Sequence, residues 1–149
     1  MFQFKFKAVL DYRRQIEDTC LQAFAQSKKE WEKQLRRLEQ DYECWKKCLE
    51  EWRGLQEDTV SILQVELYQR YMLRLRREIT EQAERVKTCL GEMDQKRALL
   101  LSARRDKKIM EKLKETHFMA YSREQAKKES KFLDEISTLR FNRTAGNRE

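Results

Sequence analysis

Proline does not occur in this chain of 149 residues, and glycine occurs only three times. The two strongest helix breakers are thus almost missing, so the chain reads as long helix. No stretch approaches the ~20 consecutive apolar residues that span a bilayer. The opening Met1-Phe2-Gln3-Phe4-Lys5-Phe6-Lys7 interleaves Lys with Phe and lacks the continuous apolar core of an export signal. Histidine occurs once, at His117, and the four cysteines (Cys20, Cys44, Cys48, Cys89) form no C-x-x-C pair. Cys44 and Cys48 stand one helical turn apart, but a tetrahedral metal site needs two further ligands nearby, and none is visible. Thiols without a pattern suit a reducing cytoplasm. A Gly-rich phosphate loop and a nucleophile elbow are also absent. Neither catalysis, nor a cofactor, nor a metal is expected.

What the chain does have is periodicity. Trp31, Leu35, Leu38, Tyr42, Trp45, Leu49 and Trp52 alternate at spacings of 4 and 3. That average of 3.5 residues keeps one stripe of a helix facing a partner helix. High charge with low mean hydropathy can signal disorder, but bulky apolar residues in register argue for a coiled coil. The first helix is expected over about residues 4–53, its seam extending back through Phe24, Leu21 and Leu10 with Lys28, Glu17 and Arg14 as polar interruptions. Gly54 weakens it, and Glu57-Asp58-Thr59 favours a turn at about 54–60. Ser61-Ile62-Leu63-Gln64 matches the S-x-x-Q capping box that opens a helix. A second helix over about 61–139 is expected to use Val65, Tyr68, Met72, Leu75, Ile79, Gln82, Val86, Cys89, Met93, Lys96, Leu100 and Ala103 as its seam. The pattern blurs beyond Ala103, where two phases compete, and a frayed tail is expected over 140–149.

A short turn between two helices implies an antiparallel hairpin. The fold class is therefore all-α: one domain, a two-helix coiled-coil hairpin with a longer C-terminal helix. Folding at the turn pairs Trp52 with Val65, Trp45 with Met72, Leu38 with Ile79, Trp31 with Val86 and Phe24 with Met93. Leu35 opposite Gln82 and Lys28 opposite Cys89 are the weak layers. The unequal lengths leave about 25 residues of the second helix beyond the first, at 1.5 Å per residue in each. Charge is uneven too. Residues 1–60 hold 12 basic and 12 acidic side chains, whereas residues 102–149 hold 13 against 8. The net +7 of the chain thus lies toward its C-terminal half, as a solvated face or as a basic end for an acidic partner or a membrane surface. The run Arg104-Arg105-Asp106-Lys107-Lys108 is interleaved with acid and follows a hairpin instead of preceding a parallel zipper, so no nucleic-acid partner is expected.

Both ends resemble the FliJ family, small coiled-coil proteins of the bacterial flagellar type III export apparatus. Phe2-Gln3-Phe4-Lys5-Phe6 with Val9-Leu10, Arg13 and Glu17-Asp18 is similar to that family's opening. Val60-Ser61 leading into Tyr68, Tyr71, Leu75 and Ile79 resembles the start of its second helix. Lys107-Lys108, Glu111-Lys112-Leu113-Lys114, Tyr121, Glu124, Lys128-Glu129 and Leu133-Asp134-Glu135-Ile136 resemble its C-terminal half. The resemblance implies a stalk whose joined-terminus end enters the hexameric flagellar export ATPase. It also implies contact with the cytoplasmic part of the export-gate membrane protein and handling of export chaperones. On it, the ATPase contacts are Phe4, Phe6, Leu10, Arg13, Met110, Leu113, Tyr121, Leu133 and Ile136. The export-gate contacts are Tyr71, Leu75, Glu78 and Gln82; the last two depart from the small and aromatic-ring residues of the family at those places. The implied location is cytoplasmic, peripheral to the inner face of the cell membrane at the flagellar base. Two other uses fit the residues: a basic coiled-coil adaptor for nucleic acid or general chaperoning, and the equivalent stalk of a virulence injectisome.

Overall fold

The computed structural model describes residues 2–55 and 61–145, with side chains through Arg140. The expected turn centre at residues 56–60 and the last four residues of the expected frayed tail lie outside the described residues. Among the described residues there are two helices, α1 at Lys7–Leu55 and α2 at Ile62–Ala145. They hold 49 and 84 residues, so α2 is the longer, as the sequence implies, and continues six residues past its expected end at 139. Two compact units divide the chain, Met1–Ile16 with Arg104–Glu149, and Glu17–Ala103.

In the Glu17–Ala103 unit, α2 opens on the capping box. The Ser61 hydroxyl accepts from the Gln64 N–H at 3.3 Å, and the Gln64 side-chain oxygen accepts from the Ser61 N–H at 3.1 Å. Two N–H groups that would otherwise lack partners at the helix start are thereby satisfied. The rings of Trp52 and Tyr68 lie 5.6 Å apart, and Gln82 bonds Gln34. Contact positions fall on α2 as they rise on α1, so the helices run antiparallel. All twelve expected seam residues of α2 from Val65 to Ala103 are buried or half-buried.

The α1 seam differs from the expected one at every second position. Phe24, Ser27, Trp31, Gln34, Leu38, Asp41, Trp45, Cys48, Trp52 and Leu55 alternate at 3 and 4 and are all buried or half-buried. The large residues Trp31, Leu38, Trp45 and Trp52 are shared with the expected stripe. The intervening layer is Ser27, Gln34, Asp41 and Cys48, each one residue before Lys28, Leu35, Tyr42 and Leu49. Leu35 and Leu49 become half-buried flanks, and Tyr42 and Leu21 are exposed. Two physical effects favour this choice. Short side chains such as Ser27 and Cys48 allow close approach of the helices, and buried Gln82 requires a polar partner. Gln82 is 3% exposed; its amide donates to the Gln34 side-chain oxygen at 2.8 Å and backbone carbonyl at 3.0 Å. A polar layer of this kind fixes register, because slipping the helices would bury it unpaired.

Gly91 sits inside α2 on its exposed face, and a Cβ built there meets nothing within 4 Å. Glycine at such a site only weakens the helix. Gly91→Ala is expected to raise unfolding free energy by roughly 0.5–1 kcal/mol, read as a higher urea midpoint at unchanged slope.

Candidate functional site

The unit made of Met1–Ile16 and Arg104–Glu149 brings the chain start onto α2. Residues 2–4 are not helical, so Phe2, Phe4 and Phe6 are not spread around a helix before Lys7. The turn closes with the Lys7 N–H on the Phe4 carbonyl at 3.1 Å. Phe2 packs on Phe118 at 5.3 Å, edge to face, and on Tyr121 at 5.6 Å. Phe4 lies 5.8 Å from the His117 ring and 6.0 Å from Phe6, which is itself 6.4 Å from His117. The rings thus pack as two groups of three, Phe2 with Phe118 and Tyr121, and Phe4 with Phe6 and His117, and the T-shaped pairs place ring edges against ring faces, the geometry the aromatic quadrupole favours. One turn further into α1, Leu10 is 2% exposed. Arg13 donates to Asp106 at 2.7 Å, and Arg14 reaches Glu111 at 3.8 Å. These pairs are more than a third exposed and each contributes under ~1 kcal/mol; their effect is to hold Arg13 along α2.

The nine expected ATPase contacts all fall in this unit, with different exposure. Phe6 and Leu133 are exposed, and Phe4, Arg13, Met110, Leu113, Tyr121 and Ile136 are half-buried. Leu10 alone is enclosed, so it supports the surface from within. Of the two phases competing after Ala103 (Ile109, Leu113, Thr116 and Ala120 against Met110, His117 and Tyr121), α2 follows neither alone: Met110, Leu113 and Tyr121 are half-buried and Ile109 is 65% exposed. Phe2, His117 and Phe118 were not among the expected contacts, yet they complete the two ring groups. The alternate Phe residues at 2, 4 and 6 were the available signal, since that period belongs to extended chain and not to helix.

The four expected gate residues fall in the Glu17–Ala103 unit. Tyr71 is exposed, Glu78 is half-buried and accepts from Arg74 at 2.8 Å, and Leu75 and Gln82 are buried. The Arg74 guanidinium is held above its ordinary range by that hydrogen bond and charge. Leu75 and Gln82 are thus buried within the hairpin, Gln82 against Gln34 of α1. Nearby, Tyr42, Trp45, Leu49 and Trp52 from α1 with Tyr68 and Met72 from α2 line an open groove of about 890 Å³. Burial pushes the Tyr68 phenol up, with Glu51 adding to the shift as a neighbouring charge and as its hydrogen-bond acceptor. Burial likewise raises the Cys48 thiol, assisted by Glu51 and Cys44, so Cys48 is a poor thiolate and a packing residue. No group of three His, Cys, Asp or Glu among the described residues could hold a metal ion. No helix of the described residues is long and apolar enough to cross a membrane.

No curated protein and no solved structure matches the chain. The model of one family, described as "Flagellar FliJ protein", matches residues 2–146, nearly the whole sequence. The chain belongs to the flagellar FliJ family and so is a component of the flagellar protein export apparatus.

Proposed function

We propose that this chain is a non-enzymatic stalk that couples the hexameric export ATPase to the export gate and assists export chaperones, working in the cytoplasm at the inner face of the membrane. The observation that carries the reading is the build of the ring-cluster unit. The chain start is clamped on α2 as far as Tyr121, and α2 then continues to Ala145 with Phe132, Leu133 and Leu139 exposed. A helix that carries exposed apolar side chains among basic ones suits insertion into a ring lined by the opposite character. In the other unit, the groove of Tyr42, Trp45 and Trp52 beside exposed Tyr71 is the surface we assign to the gate. Leu75 and Gln82 act there by shaping the hairpin, not by contact.

The test is ATP hydrolysis by the cognate export enzyme titrated with the intact chain, with the chain ending at Tyr121, and with Phe6→Ala. The intact chain is expected to stimulate. The shortened chain is expected to lose stimulation, and Phe6→Ala to raise the half-saturating concentration by about 10-fold or more, near 1.4 kcal/mol. Circular dichroism on both variants checks that the hairpin remains helical. Equal stimulation by all three would place the inserted end elsewhere.

A further inference from the structure

The groove of the Glu17–Ala103 unit has an apolar floor and one charge. Trp45, Leu49, Trp52, Met72 and Leu73 form much of the floor, and among the residues that line it Arg76 alone is charged. Leu73 is 65% exposed, so the floor opens to solvent. The groove runs along α2 from Tyr68 to Thr80, about 18 Å at helical rise, or some three turns of a third helix. Both walls are helices, whose backbone N–H and C=O groups are already bonded within them. An extended segment laid here would find no edge to pair with and would leave its own backbone groups unmet against apolar side chains. A helix satisfies its backbone internally and can fill the groove with side chains alone.

The charges around Arg76 indicate the character of that helix. Lys46 and Arg53 lie one turn from Leu49 on α1, and Arg77 lies one turn from Leu73 on α2. None of these three, nor Arg76, forms an ion pair among the described residues. The nearby acids are mostly engaged or turned away. Glu66 pairs with Arg70 at 2.6 Å, and Glu51 accepts from the Tyr68 hydroxyl. Asp41 belongs with Arg37 to a different cleft, and Glu43 and Glu50 lie further round α1. Glu39 and Glu84 stand one turn from Tyr42 and Thr80, at the end of the groove away from the hairpin turn. The middle of the groove therefore offers unpaired cations over an apolar floor, and the complement is apolar and acidic.

We propose that the occupant of this groove is an amphipathic helix of a partner protein, with an apolar stripe on the floor and a carboxylate on Arg76. The proposal rests on the reading of the groove as the export-gate surface for the identity of that partner, and it names the kind of segment that docks.

The probes are two synthetic helical peptides with one leucine stripe, flanked by glutamate in the first and by lysine in the second, and the cytoplasmic part of the cognate export gate. Trp45 and Trp52 line the groove, so filling it is expected to shift the tryptophan emission of the full chain to the blue. The glutamate peptide is expected to bind about 10-fold more tightly than the lysine peptide at about 0.1 M salt, where charges act over ~10 Å. A proline in the middle of the glutamate peptide is expected to abolish binding. Arg76→Glu is expected to remove or reverse the preference, Arg76→Lys to keep most of it, and Leu73→Ala to weaken both peptides. Arg76 and Leu73 are exposed, so circular dichroism is expected to be unchanged in all three variants. Equal affinity for the two peptides, a preference that survives Arg76→Glu, or undiminished binding of the proline peptide would overturn the proposal. So would a sedimentation mass above one chain that falls as the glutamate peptide is added, which would put a second copy in the groove. Titration with the gate protein separates the two readings. If the peptides behave as expected but the gate binds the Arg76→Glu and Leu73→Ala chains as well as the parent, the acidic helix stands and the gate assignment fails. If Leu73→Ala weakens gate binding while the peptides show no charge preference, the gate assignment stands and the acidic helix fails.

Discussion

Leu10→Ala is expected to lower unfolding free energy by about 2–5 kcal/mol, the range for emptying a leucine-sized site that cannot collapse. Leu10 is 2% exposed, and the whole stability of a domain this size is about 5–15 kcal/mol. The loss is expected as a lower urea midpoint by circular dichroism and as faster amide exchange over residues 104–121. Leu75→Ala, at 6% exposed, is expected to fall in the same range. Leu133→Ala, on an exposed residue, is expected within about 0.5 kcal/mol of the parent. The contrast separates two roles. Had Leu10 or Leu75 been a contact for another protein, its truncation would leave stability near the parent and weaken only binding. If both truncations leave the urea midpoint unchanged, the burial described for the two leucines is wrong, and with it the packing of each unit.

The α2 seam was legible because its heptad is carried by residues that allow one choice of face. Leu75 and Ile79 have polar or charged neighbours on both sides, and Tyr68 and Met72 continue the same phase upstream. The α1 seam was legible at Trp31, Leu38, Trp45 and Trp52 for the same reason. Its intervening layer was not. Positions 34 and 35, 41 and 42, 48 and 49 flank the stripe of Trp31, Leu38 and Trp45 on opposite sides, so apolar character alone favours Leu35, Tyr42 and Leu49. What decided was a property of the other helix. Gln82 lies inside and needs Gln34, and a hydrogen bond 48 residues distant leaves no local periodicity to read. The capping box at Ser61 was legible because its two bonds span only three residues.

The candidate site was legible in composition and less so in detail. The Phe residues at 2, 4 and 6 marked the chain start, and the two-phase blur after Ala103 marked a change in what α2 packs on. The non-helical start carries the clamp beyond the end expected from helix rise alone. An extended residue advances more than twice as far as a helical one, so Phe2 reaches Tyr121 and the part of α2 beyond the clamp is shorter than the roughly 25 residues expected. The groove lined by Trp45 and Trp52 was hidden by the same feature that revealed the seam. Side chains large enough to define a stripe are also too large to fill it evenly, and the remainder stays open.

Gln82→Glu is expected to be the most pH-sensitive substitution in the chain. The Gln82 amide is a donor to two oxygens of Gln34. A protonated carboxyl can still donate one of those bonds, whereas a carboxylate offers only acceptors to an acceptor-rich site at 3% exposure. Burial and lost donation both disfavour the charged form, so the folded carboxyl titrates above the unfolded value of about 4.3. The sign follows from linkage: the folded state binds the proton more tightly, so the variant's stability is highest below about pH 4.3 and falls as pH rises through the folded value. Relative to the parent, the expected loss is about 1 kcal/mol at pH 4 and about 3–5 kcal/mol at pH 8, where the charge is buried without a partner. Urea midpoints of parent and variant across pH 4–8 measure it. Gln82→Leu removes the donor without adding charge and is expected to show a pH-independent change. A Gln82→Glu penalty equal at both ends of that range would mean that water reaches the layer, and that Gln34 and Gln82 do not set the register of α1 on α2.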